Sequence, residues 1–168
     1  MKSALVIIDM QNDFVHGVLG SGAAKAIIPA IQDKLAAYRR AGEPVYFTMD
    51  THEPGAAGVE AEKIPPHCMR GTPGWRIIPE LDTGNAPCVE KPAFMSLIWD
   101  AVIGEDVSTI ELCGVCTDIC VVSNALFLRA QYPEARIVVN AGCCAGTSVE
   151  NHKAALAVMR SCLIDIVG

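Results

Sequence analysis

Short apolar runs recur along the chain, and several stop at a polar residue. Residues 4–8 stop at Asp9, residues 44–49 stop at Asp50, and the run at 88–90 leads into Lys91. Further runs at 108–114, 136–140 and 163–167 complete the series. Runs this short that lack strict alternation fit strands buried on both faces. Between them the apolar spacing changes to that of helices. Ile31, Leu35 and Tyr38 share a face behind Pro29, and Gly42 closes that helix. Thr117 or Asp118 is the N-cap candidate for a helix carrying Val121, Val122, Ala125, Leu126 and Leu128. A short helix is expected near 97–103, and another over 149–160 with Ala155, Leu156, Val158 and Met159 facing inward. Gly17, Gly20 and Gly22 mark a mobile loop. Residues 51–87, with six of the prolines, read mostly as loop, and a connection that long is usually functional. No repeat, linker or low-complexity tract interrupts the alternation. The pattern predicts an α/β fold: a three-layer, doubly wound, mostly parallel sheet with helices on both faces, in one domain over 1–168.

Composition narrows the class. The chain is 51% hydrophobic with a mean hydropathy of +0.33. No run approaches the ~18 apolar residues of a membrane span. Asp9 interrupts the first apolar run too early for a signal-peptide core, so a cytoplasmic protein is expected, with its eight cysteines mostly reduced. The net charge is −6 and the 13 Lys and Arg are scattered, which argues against a nucleic-acid partner. Surplus apolar surface on a chain this small points to a homo-oligomer.

The richest stretch is STIELCGVCTDICVV, residues 108–122. A cysteine on the first turn of its helix would lie among exposed backbone N–H groups, which favour thiolate. Three readings fit its cysteines. They are small apolar core residues; or Cys113 and Cys116 form a redox C-x-x-C between strand and helix; or Cys113, Cys116 and Cys120 share a metal that lacks a fourth ligand. The stretch alone does not choose among them.

In doubly wound sheets ligands bind beyond the carboxyl ends of the strands. Asp9, Asp50 with His52, Lys91, and the Cys116–Cys120 turn all fall there. Together they supply carboxylate, ammonium and thiol, the components of covalent catalysis.

These residues resemble the isochorismatase-like cysteine hydrolases, and among them the nicotinamidases. VIIDMQNDF at 6–14 is similar to the family's opening strand, DTH at 50–52 and PPHC at 65–68 to its metal segments, and EK at 90–91 to its lysine segment. GVCTDICV at 114–121 is similar to its nucleophile loop. The resemblance implies that Cys120 is the nucleophile, Asp9 its base and Lys91 the charge that stabilises both. It implies a cis peptide between Val115 and Cys116, and an oxyanion hole made by the N–H groups of Cys116 and Cys120. It implies a divalent metal, zinc, on Asp50, His52 and His67, orienting the pyridine nitrogen of nicotinamide. The small amide would leave as ammonia and a carboxylic acid through a thioester. Phe14 and Ile64 would line the substrate pocket; many nicotinamidases carry tryptophan at the position of Ile64. Glu60, in the same loop, has two readings, a further metal ligand and the favoured one of a solvated charge; His16 and His152 read as surface residues. Two alternatives stand beside this: another amidase of the family, with a carbamoyl, ureido or aliphatic substrate, and a thiol–disulfide carrier using Cys113 and Cys116.

Overall fold

A computed structural model describes residues 2–55 and 57–168. β1 (Lys2–Ile8) carries five successive residues with no exposure, Ala4 to Ile8, because it has a strand on either side and helices above and below. Two short helices, α1 (Asn12–Val15) and α2 (Gly22–Ala26), precede α3 (Ile28–Ala41). Pro29 sits in the first turn of α3, and Gly42 ends it in the left-handed region at φ 68°. β2 (Val45–Asp50) is buried along its whole length. Among its described residues the long connection holds one helix, α4 (Val59–Lys63), before β3 (Cys88–Lys91). α5 (Trp99–Val102), β4 (Val107–Val115), a π-helical turn (Thr117–Val121) and α6 (Val122–Gln131) follow. β5 (Arg136–Ala145), α7 (Val149–Ser161) and β6 (Asp165–Val167) finish the chain.

The six strands form one sheet in the order β3-β2-β1-β4-β5-β6, and every neighbouring pair is parallel. Successive strands run one way from β1 and the other way from β4. Right-handed crossovers therefore place α3 on one face and α6 with α7 on the other. The order reverses between β1 and β4, the place where such sheets open a crevice. The expected doubly wound α/β architecture is the observed one, and the sheet is wholly parallel.

Some local expectations needed correction. Gly22 does not extend a loop; it opens α2, whose N-cap Ser21 accepts a hydrogen bond from Ala24 N–H at 3.0 Å. Neither Thr117 nor Asp118 caps a helix, because the chain makes a π-helical turn there and both side chains bond elsewhere. Val158 faces solvent, since the inward stripe of α7 is Ala155, Leu156 and Met159. Leu163 lies outside β6 with φ 62°. Among the described residues no helix is long and apolar enough to cross a membrane.

Candidate active site

Loops from the carboxyl ends of β1, β2, β3 and β4 meet around one cavity of about 540 Å³, whose walls include Phe14, Asp50, Ile64, His67, Cys116 and Cys120. Asp9 ends β1 with φ 48°, a left-handed conformation that aspartate tolerates better than most residues. Its N–H donates to Thr48 Oγ1 at 3.0 Å, and that hydroxyl donates back to Asp9 Oδ1 at 2.6 Å. The exchange fixes the carboxylate and leaves Oδ2 facing Lys91 Nζ at 2.7 Å. Beyond that ion pair Oδ2 has no well-directed hydrogen bond among the described residues.

Lys91, the last residue of β3, is fully buried. Its ammonium also reaches Ala93 O at 3.1 Å, Asp50 Oδ1 at 3.3 Å and Cys120 Sγ at 3.5 Å. Burial works against that charge, but the negative charge of Asp9, Cys120 and Asp50 outweighs it and holds the pKa above the ordinary lysine range. Burial raises the Asp9 carboxyl, although Lys91 pulls the other way. Burial, and then the charge of Asp9, push the Cys120 thiol well up, with Lys91 opposing. Burial of Cys120 thus works against the thiolate that its place in the turn favours, and Lys91 is the neighbour that favours it.

Beside this trio lies a second cluster. His52 Nε2 stands 3.0 Å and His67 Nε2 3.2 Å from the same oxygen, Asp50 Oδ2. Glu60 Oε1 lies 3.7 Å from the first ring nitrogen and 3.8 Å from the second. The His67 Nδ1 is 2.8 Å from Pro65 O, an acceptor only, so Nδ1 carries a proton and Nε2 is the nitrogen turned inward. One ligand atom from each of Asp50, His52, Glu60 and His67 falls within 4.8 Å of the others. Two imidazole nitrogens and two carboxylates closing on one point fit a divalent cation. Glu60, read from sequence as a solvated charge, is half-buried and belongs to this cluster. The geometry gathers Asp9, Lys91 and Cys120 in one place and Asp50, His52 and His67 in the next, joined by the Lys91–Asp50 contact. Phe14 packs edge-on against the His67 ring at 5.4 Å and lines the cavity with Ile64.

Several supporting residues escaped sequence reasoning. Buried Gln11 accepts from Asp50 N–H at 2.7 Å and donates to the carbonyls of Asp50 at 2.8 Å and Trp75 at 2.7 Å, so it holds the end of β2. Asp13 accepts from Cys68 N–H at 2.7 Å and anchors the segment that presents His67. Asn124, fully buried on α6, donates to Cys120 O at 2.8 Å and Phe94 O at 3.1 Å while accepting from Ser96 N–H and Trp99 Nε1. It ties the loop after β3 to the Cys120 turn. His152 is half-buried rather than on the surface: its Nδ1 lies 2.8 Å from Thr117 Oγ1. Asp118 accepts from both the N–H and the hydroxyl of Thr147, so the start of α7 braces the same turn. His16 is exposed, paired with Glu80. A polar residue on a helix reads as solvent-facing, and nothing local marks Gln11 or Asn124 as bridges.

The other readings of the cysteines lose ground. Cys113 is fully buried with its thiol pushed well up by burial and by Cys144, and Cys116 is raised to about 12 by burial and Asp118. A redox carrier needs an accessible sulfur of low pKa. Among the described residues no metal-type cluster includes a cysteine. The peptide between Val115 and Cys116 is cis, as the resemblance implied.

A parallel sheet with a thiol, an ammonium and a carboxylate at its reversal point is the arrangement of a hydrolase of the isochorismatase type. The sequence model of the Isochorismatase domain matches residues 3–168, and the chain belongs to that family. It is 30% identical to a nicotinamidase/pyrazinamidase of Mycobacterium tuberculosis, an alignment covering 98% of this chain and 97% of that protein. It also superposes on the nicotinamidase/pyrazinamidase PncA of Bacillus subtilis with a TM-score of 0.91 at 26% identity, covering 100% of both chains. The pyrazinamidase of Pyrococcus horikoshii, solved in complex with zinc, is similar with a TM-score of 0.88 at 25% identity, covering 99% of each chain.

Proposed function

We propose that this isochorismatase-family hydrolase is a cysteine amidohydrolase acting on nicotinamide. The observation that carries the reading is that Cys120, in contact with Lys91 and through it with Asp9, lines the same cavity as Asp50, Glu60 and His67 of the second cluster. A thiol is a weak nucleophile until its proton leaves. The Asp9 carboxylate, raised by burial, is well matched to accept that proton from Cys120, and Lys91 offsets the negative charge that passes between them. Sulfur then bonds to the amide carbon, and the oxyanion rests on the N–H groups of Cys116 and Cys120. The C–N bond breaks as nitrogen takes the proton from Asp9, and ammonia leaves. Water, deprotonated by Asp9, cleaves the thioester and returns the thiol.

Asp50, His52 and His67, with Glu60 as a further ligand, would hold a divalent metal, zinc. Such an ion supplies a Lewis-acidic point to which a ring nitrogen binds. Phe14 and Ile64 flank the ring. The name of the M. tuberculosis relative and the zinc complex of the P. horikoshii relative support this substrate and this metal. The eight free cysteines support a reducing, cytoplasmic setting, and the exposed Leu97 and Ile98 on one loop support self-association. The deciding experiment measures ammonia release from nicotinamide and looks for an acyl adduct on Cys120 by mass spectrometry. Turnover with the adduct on Cys120 is the expected result; insulin reduction without ammonia would overturn the proposal.

A further inference from the structure

The cavity is wider than nicotinamide requires, and its surplus wall is apolar. A space of about 540 Å³ lies within the ~300–1,000 Å³ range that houses drug-sized ligands, whereas nicotinamide is one small ring with a carboxamide. Val18 and Phe94 line it while remaining 55% and 40% exposed, and Leu19 and Ile119 line it as well. Val18 and Phe94 are thus only partly accounted for by core packing. Large apolar side chains exposed together around a pocket mark apolar ligand surface. Ile64, with Glu60, Pro65 and His67, forms the partition between this cavity and a second of about 300 Å³ lined by His52, Glu53 and Met69. An isoleucine leaves room at that partition which a flat bulky side chain would fill.

We infer that the enzyme accepts heteroaromatic amides enlarged by an apolar group on the ring edge remote from the carboxamide, fused-ring amides included, and that Ile64 and Val18 set this breadth. The inference rests on the amidase reading. Val18, Leu19, Phe94 and Ile119 line the same cavity as Cys120, Asp50 and His67, so a ring held between the thiol and that cluster would leave apolar wall for a substituent to cover. Apolar substituents gain by leaving water there.

The test compares kcat/KM for nicotinamide and quinoline-3-carboxamide on the metal-loaded wild type, Ile64→Trp and Val18→Asp. The expected wild-type ratio of the bicyclic to the simple amide lies within about tenfold of unity. Each substitution lowers that ratio by about tenfold or more, Ile64→Trp by filling the space and Val18→Asp by wetting the rim. The ratio is internal to each variant, so partial loss of folded protein cancels, and melting curves report the folding. Nicotinamide turnover with the bicyclic amide more than about a hundredfold poorer overturns the inference and leaves the amidase reading standing. An unchanged ratio in both variants overturns it too. Turnover of neither amide overturns the amidase reading and the inference with it.

Discussion

Two buried ionic clusters share the central strands, and they are built on opposite plans. In the lower half of β4 the Glu111 carboxylate accepts from Tyr38 OH at 2.8 Å and Asn140 Nδ2 at 3.3 Å and pairs with Lys34 at 2.7 Å. Each of its oxygens has a partner, and Lys34 keeps some contact with water. At the carboxyl end, Lys91 has no exposure and is shared among Asp9, Asp50 and Cys120, while Asp9 Oδ2 lacks a directed hydrogen bond. The first cluster is saturated and the second keeps unused valence. The consequence for stability has a definite sign. Burial raises the Asp9 carboxyl in the folded protein, so its contribution to stability is full below the ordinary carboxylate pKa and is lost as pH rises through the raised value.

The largest effect that would break this contrast is at Cys120, the proposed nucleophile. Cys120→Ala is expected to lower kcat/KM for amide hydrolysis by about 10⁴-fold or more with little change in melting temperature, measured by ammonia release and calorimetry. Residual activity above about a tenth of wild type would remove Cys120 from its role. Next comes the shared cation. Lys91→Met strips two buried carboxylates of their partner and is expected to cost about 3–5 kcal/mol in urea unfolding along with the activity. If the two clusters were equivalent, Glu111→Gln would cost as much; about 1–2 kcal/mol with activity kept within a few-fold is expected instead.

The metal cluster gives a smaller, separable effect. His52→Ala should reduce bound zinc by elemental analysis and raise KM for nicotinamide about 10–100-fold, while Cys120 still reacts with iodoacetamide. A wild type that binds no zinc, and whose turnover zinc does not change, would count against the ligand set. The pH profile follows from the raised Asp9 carboxyl. As the proposed base Asp9 must be ionised, so kcat/KM should fall as pH drops through a value above the ordinary ~4 of aspartate, not at it. Because burial is outweighed by three negative neighbours at Lys91, no alkaline fall from its ammonium is expected below the ordinary lysine value of ~10.4. The smallest effect is expected for Cys116→Ala, which keeps the backbone N–H and should hold kcat/KM within about tenfold of wild type. Loss equal to that of Cys120→Ala would point to a dithiol mechanism.

Legibility in the sequence followed locality. The apolar run into Asp9, the buried strand into Asp50 and the strand into Lys91 were readable because each residue ends a run, and a parallel sheet gathers such ends in one place. Cys120 was distinguished from Cys116 and Cys113 by the resemblance of its loop, since residue spacing alone left three readings open. Glu60 stayed open between ligand and solvated charge because it arrives on the short α4 from a proline-rich connection, and no periodicity reports which way such a segment folds back. Gln11 and Asn124 act by bonding to backbone groups far along the chain, which no local pattern encodes. The turn after β4 was read as an ordinary capped helix because Thr and Asp commonly cap; here their side chains serve α7 instead.

Gly114 carries a consequence for anyone who would re-engineer the enzyme. At φ 116° its missing side chain would drive into the main chain of Ile8, the residue just ahead of Asp9. The two central strands therefore touch backbone to backbone where one hands over to the carboxylate and the other to the thiol turn. Neither neighbour is the flexible tip of a side chain, so nothing there can yield. A saturation library across the pocket should find broad tolerance at Ile64 and Val18 and a single permitted residue at Gly114. Laboratory evolution of new substrate scope would then proceed along the cavity's outer walls, with the seam between β1 and β4 as its fixed origin.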